Sequence, residues 1–134
     1  MRRHSIPRTL ILSFLVVAPL IAAGCVEAPQ ERGARKIGYS GNVQIEKVTA
    51  AIHRAASKMQ WTTKQISPGA IQARREWGRG KHNIVVEVVY DDKTYRIVPK
   101  SSKNLDRGGG RVHRAYNEQI NALDKAIKDE TWNF

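Results

Sequence analysis

The sequence predicts an α+β fold: a four-stranded antiparallel sheet with an N-terminal and a C-terminal helix packed on one face, in the order α-β-β-β-β-α. Three observations predict it. Apolar residues recur at steps of three and four near both ends of the expected domain, the spacing of a helix with one buried face. Between them, apolar and polar residues alternate, the period of a half-buried strand. The links between alternating runs are too short for crossover helices, so neighbouring strands must pair as antiparallel hairpins. One sheet with both helices on the same side buries every apolar stripe.

The first helix is expected over 43–59, where Ile45, Val48, Ile52, Ala55 and Met59 share a face and Lys47, Arg54 and Lys58 lie on another. Asn42 is the expected N-cap, because its side chain can accept a hydrogen bond from an early backbone N–H. Trp61, Thr62, Thr63 and Ile66 favour an extended chain. Ser67-Pro68-Gly69 then reads as a turn, with φ preset by proline and a positive φ open to glycine. In the second strand Ile71, Ala73, Arg75 and Trp77 alternate with Gln72, Arg74 and Glu76. The run 78–81, Gly-Arg-Gly-Lys, breaks it. In the third strand Ile84, Val86, Val88 and Tyr90 alternate with Val85, Glu87 and Val89, the most apolar run and hence the central one. Asp91-Asp92-Lys93 turns the chain into a fourth strand over 94–98. Residues 101–111 read as a polar loop with a triple glycine, and 112–131 as the final helix, whose stripe is Val112, Tyr116, Ile120, Leu123 and Ile127. Trp132 and Phe134 are expected to fold back as a terminal clamp.

The domain organisation follows from length and from the N-terminus. A chain of 134 residues allows one small domain. The single cysteine excludes an internal disulfide and Cys-rich zinc or iron–sulfur sites. Arg2, Arg3 and Arg8 precede a mostly apolar run over 10–23, interrupted by Ser13 and Pro19. A membrane span needs about 20 apolar residues. The run is shorter and fits the apolar region of a signal peptide. Small residues follow, and Ile21-Ala22-Ala23-Gly24-Cys25 resembles the lipobox of bacterial lipoproteins, with Ala22 where Leu is usual. That resemblance implies a leader over 1–24, cleavage between Gly24 and Cys25, and lipidation of the Cys25 thiol and amino group. Val26 follows the cysteine in place of Asp, which implies the bacterial outer membrane, with the domain facing the periplasm. Residues 25–40 carry Pro29, Gly33, Gly38 and mixed charge with no apolar period. They read as a flexible tether to a small domain over 41–134.

The mature segments are similar to a family of small, uncharacterised proteobacterial lipoproteins. The resemblance is carried by Gln60-Trp61, where a small residue such as Gly is usual at the first position, and by 66–73, Ile-Ser-Pro-Gly-Ala-Ile-Gln-Ala. It continues through 90–97, Tyr-Asp-Asp-Lys-Thr-Tyr-Arg-Ile, then Ser102-Lys103-Asn104-Leu105 and 112–117. It implies a cell-envelope lipoprotein and no established activity, so no catalytic residue follows from it.

Charge points toward a binding role. The chain carries 23 Lys+Arg against 12 Asp+Glu, a net +11, and loss of the three leader arginines leaves +8. Such a domain attracts anionic surfaces. In the envelope these are lipid head groups, lipopolysaccharide phosphates, peptidoglycan carboxylates or acidic envelope proteins; export argues against nucleic acid. Arg74 and Arg96 are the candidate anion contacts on an open sheet face. Arg107 and Arg111, flanking the triple glycine, are candidates for a loop whose backbone N–H groups hold an anion. His53, His82 and His113 lack metal-ligand spacing, so no metal or cofactor is expected. Paired carboxylates flanking a cleft and a nucleophile elbow are missing from the sequence. The expected function is that of a lipid-anchored envelope protein with a non-enzymatic binding or accessory role. The alternative is a cell-wall-acting hydrolase, with a site around the 101–113 loop drawing on Ser101, Ser102, Asp106 and His113.

Overall fold

A computed structural model describes residues 26–27, 32–37, 43–132 and 134. Its elements are β1 (Val26–Glu27), β2 (Arg32–Lys36), α1 (Ile45–Lys58), β3 (Thr62–Ser67), β4 (Ala70–Trp77), β5 (His82–Tyr90), β6 (Thr94–Lys103), β7 (Val112–His113) and α2 (Arg114–Thr131). The fold is α+β. The hairpins β3–β4, β4–β5 and β5–β6 form the antiparallel four-stranded sheet that the alternation predicts. Ile71 and Ala73 of β4, Ile84, Val86, Val88 and Tyr90 of β5, and Tyr95 and Ile97 of β6 bury one face. Both helices cover that face: Val48, Ile52, Ala55 and Ala56 of α1 and Ile120, Leu123 and Ile127 of α2 complete the same core. The opposite face, with Gln72, Arg74, Glu76 and Arg96, stays exposed.

The sheet has a fifth strand, and the reading of residues 25–40 as a tether is corrected where they are described. β2 pairs antiparallel with β6, giving the order β2-β6-β5-β4-β3. β1 pairs with β7 in a separate two-stranded ladder. The physical reason is that edge strands are held by backbone N–H and C=O groups, which need no apolar alternation. Ile37, immediately after β2, is buried in the core and its N–H donates to the Lys93 carbonyl at 2.7 Å.

Three further differences are local. α1 begins after Gln44, whose side chain makes no capping bond; Asn42 lies outside the described residues. β6 continues to Lys103, past the expected end at 98, because a register shift between Val85 and Val86 accommodates Pro99. α2 begins at Arg114, and His113 serves as its N-cap, with Nδ1 accepting the Ala115 N–H at 3.1 Å. Phe134 packs against the core, whereas Trp132 is 49% exposed beside Lys128, so only one half of the terminal clamp closes.

Several polar groups on the covered face are paired across layers, whereas Trp61 Nε1 and Arg75 Nε are buried without a hydrogen-bond partner. Thr49 donates to the Ile45 carbonyl at 2.9 Å, so its hydroxyl accepts from Tyr90 at 2.7 Å, and Tyr90 in turn accepts from Gln65 Nε2 at 3.0 Å. Tyr95 donates to Asp124 Oδ1 at 3.0 Å, linking β6 to α2. Burial, with the nearby Asp124 charge adding to it, raises the Tyr95 phenol above its ordinary range. Half-buried Arg75 donates to the Met59 carbonyl at the end of α1 and to Gln60 Oε1 at 3.3 Å. This cationic cap at the helix C-terminus answers unpaired carbonyls and the helix dipole together.

Candidate anion-binding surfaces

The four candidate arginines do not form one site. Arg74 and Arg96 share the open face by strand parity, but pairing places them at opposite ends of it. Arg74 is level with Val85, and Arg96 with Val89, on the far side of β5. Strand spacing then separates the two Cα atoms by about 16 Å. Arg74 is engaged by Glu76 at 2.9 Å, and neighbouring Lys100 by Glu87 at 2.9 Å. Half-buried Val85, Val89 and Val98 share this face. The open face is therefore a mixed apolar and self-neutralised surface.

Arg107 and Arg111 do come together. The segment after β6 is a small ordered hairpin rather than an open loop. Asp106 bridges Val112, the Arg107 N–H donates to the Arg111 carbonyl at 2.8 Å, and the His113 N–H donates to the Leu105 carbonyl at 2.7 Å. Its tip is Gly108-Gly109-Gly110, all at positive φ (79, 61 and 71°), with nothing within 4 Å of where a Cβ would stand. Glycine is required there by backbone conformation, not by crowding. Asp106 Oδ1 accepts the Gly108 N–H at 2.7 Å, which holds the turn. Both arginines are exposed and make no ion pair among the described residues.

A depression of about 340 Å³ lies between this hairpin and the end of β6. Lys100, Ser101, Ser102, Asp106, Arg111 and Tyr116 line it, over apolar walls from Pro99 and Val112. Burial pushes the Tyr116 phenol up to about 12, so near neutral pH it stays protonated. The lining offers Arg111, a Lys100 already paired with Glu87, and several hydroxyls, donors that suit a phosphate or carboxylate. His113 does not line the depression, and its Nδ1 is occupied as the α2 cap. Ser101, Ser102 and Asp106 are thus gathered without the imidazole that a Ser–His–Asp arrangement requires.

Other clusters are structural. Glu130 of α2 binds Arg54 at 3.0 Å and also Lys58, tying it to α1; the bonds from Lys58 and then Arg54 hold its carboxyl below the ordinary range. His53 Nδ1 meets Thr63 at 2.7 Å, and His82 stacks on Trp77 with centroids 5.3 Å apart. Among the described residues no three His, Cys, Asp or Glu side chains gather as metal ligands, and no helix is long and apolar enough to cross a membrane. Gly24 and Cys25 lie outside the described residues.

From sequence, the parity of Arg75 with Ile71 and Trp77 places it at the rim of the core, but its bond to the Met59 carbonyl is not legible there. Lys81 and Lys103 are likewise expected in a basic patch near the hairpins; that Arg107 and Arg111 join them depends on which loops the topology brings together. Neither a family model nor a curated protein sequence matches the chain.

Proposed function

We propose that this chain is a lipid-anchored lipoprotein of the bacterial outer membrane, facing the periplasm, with a non-enzymatic binding or accessory role. The observation that carries the reading is the N-terminal sequence: a basic start, a short apolar run, and the chain's one cysteine placed directly after Ala22-Ala23-Gly24. The fold adds support of a different kind. A basic domain that leaves Arg107 and Arg111 unpaired at a glycine-tipped hairpin is equipped to hold an anionic envelope component. Binding through such exposed cations weakens as salt rises.

The test is in-cell cross-linking of the full-length protein, with partners identified by mass spectrometry and compared with Cys25→Ala. The reading expects an envelope component that is lost in the variant. The same partners and localisation without the cysteine would overturn it.

The depression beside Ser101 and Ser102 favours one second reading, hydrolysis of cell-wall material. It expects turnover of wall fragments that Ser101→Ala/Ser102→Ala/Asp106→Asn abolishes, the three polar residues that line the depression. Unchanged turnover in that variant removes the 101–113 site.

A further inference from the structure

We propose that the loop end of the sheet is a membrane-docking surface, held on the anionic head groups of the lipid layer that anchors Cys25; this rests on the lipidation reading above. The first observation is the length of the leash. β1 starts at Val26 and pairs with β7, Val26 opposite His113 and Glu27 opposite Val112. Covalent geometry puts the Cα of Cys25 about 3.8 Å from that of Val26. A lipid on Cys25 would therefore be fastened directly to the β7 end of the fold, with no spacer. The domain could not stand off from the bilayer or turn freely; that end must face the lipid.

The second observation is what that end carries. Asn104 Nδ2 donates to the Lys81 carbonyl at 2.6 Å, which holds the β4–β5 hairpin against the segment following β6. Arg79 and Lys81 of that hairpin thereby join Lys103, Arg107 and Arg111. All five are exposed, and none makes an ion pair among the described residues. Many cations elsewhere are engaged: Arg35 with Asp124, Arg54 and Lys58 with Glu130, Arg74 with Glu76, Lys125 with Asp129; Lys47 of α1 and Lys64 of β3 are exposed without an ion pair among the described residues, but each stands on a separate element rather than in a cluster. Asp106 is the one acid within 78–81 and 103–111, and it is turned onto the Gly108 N–H. The glycine tip adds no side chain that would hold the backbone away from a flat surface. An unpaired cationic cluster at the anchored end complements lipid phosphates. The exposed Trp132 lies at the other end of α2, about 27 Å away along its 18 residues.

The experiment uses full-length, lipidated protein in vesicles of phosphatidylcholine with phosphatidylglycerol. With Cys25 acylated, an introduced cysteine is the one free thiol. Ser101→Cys and Lys125→Cys, both at exposed positions and each carrying a fluorophore, report energy transfer to a headgroup-labelled lipid. We expect at least twofold higher transfer from position 101. That asymmetry should shrink in high salt and in Arg107→Glu/Arg111→Glu, and also in Lys81→Glu/Lys103→Glu. Equal transfer from both positions, or an asymmetry indifferent to salt and to both charge reversals, would overturn the docking surface. The mass of the N-terminal peptide separates the two claims. A lipidated peptide with equal transfer sinks the docking alone, and a peptide without lipid sinks the anchor and the docking together.

Discussion

At Gly69 the chain turns with φ +79°, and a Cβ there would stand 2.7 Å from the Tyr90 carbonyl oxygen. The neighbour is backbone, fixed by the Tyr90 N–H bond to the Gly69 carbonyl at 2.8 Å, so it cannot give way. Gly69→Ala should cost on the order of 2–4 kcal/mol, read as a lower urea midpoint at unchanged slope. Gln60 is the converse case. It ends α1 at φ +61°, a conformation that suits glycine, and its side chain gains only a 3.3 Å contact with Arg75. Gln60→Gly should raise stability by about 0.5–1 kcal/mol in the same measurement. Tyr116 gives a spectroscopic prediction. Its folded phenol is raised to about 12 by burial, so its contribution is full below the unfolded value of about 10 and declines as pH rises above it. Ultraviolet titration should show late-ionising tyrosines, one fewer in Tyr116→Phe, where raised Tyr95 remains.

Among the elements, those that bury side chains were legible and those that bond through backbone were not. Ile71 and Ala73, and Ile84 through Tyr90, announce β4 and β5 because each faces a core on one side. Pro68-Gly69 and Asp91 announce their turns because only particular residues make them; Asp91 Oδ1 accepts the Lys93 and Thr94 N–H groups at 2.7 and 2.6 Å. β2 reads Arg-Gly-Ala-Arg-Lys and has no period to detect, since β6 pairs with its main chain. The parity of Arg74 and Arg96 was readable; their separation was not, because it is set by register across two strand pairs. Two elements share an acid sensitivity. The N–H groups of Lys93 and then Thr94 hold Asp91 below its ordinary range in the β5–β6 turn, and Lys58 and Arg54 do so for Glu130 between the helices. A carboxyl depressed in the folded state stabilises above its unfolded pKa, and that stabilisation is lost as pH falls through the folded one. The melting temperature should therefore drop below about pH 4. In Asp91→Asn/Glu130→Gln the start should be lower and the acid decline shallower; a decline as steep as the parent's would contradict these assignments.

The whole molecule is a basic domain with direction. Its helices cover one sheet face, its open face carries the Arg74–Glu76 and Lys100–Glu87 pairs, and among the described residues five cations without an ion pair, Arg79, Lys81, Lys103, Arg107 and Arg111, collect beside β7. That asymmetry has a use if the adjoining Cys25 carries lipid. The most direct test is the intact mass of the N-terminal peptide of protein purified from bacterial membranes. The expected peptide begins at Cys25 and carries a diacylglyceryl group on sulfur with a fatty acyl group on nitrogen. A retained leader, or a mature terminus bearing an unmodified thiol, would contradict it.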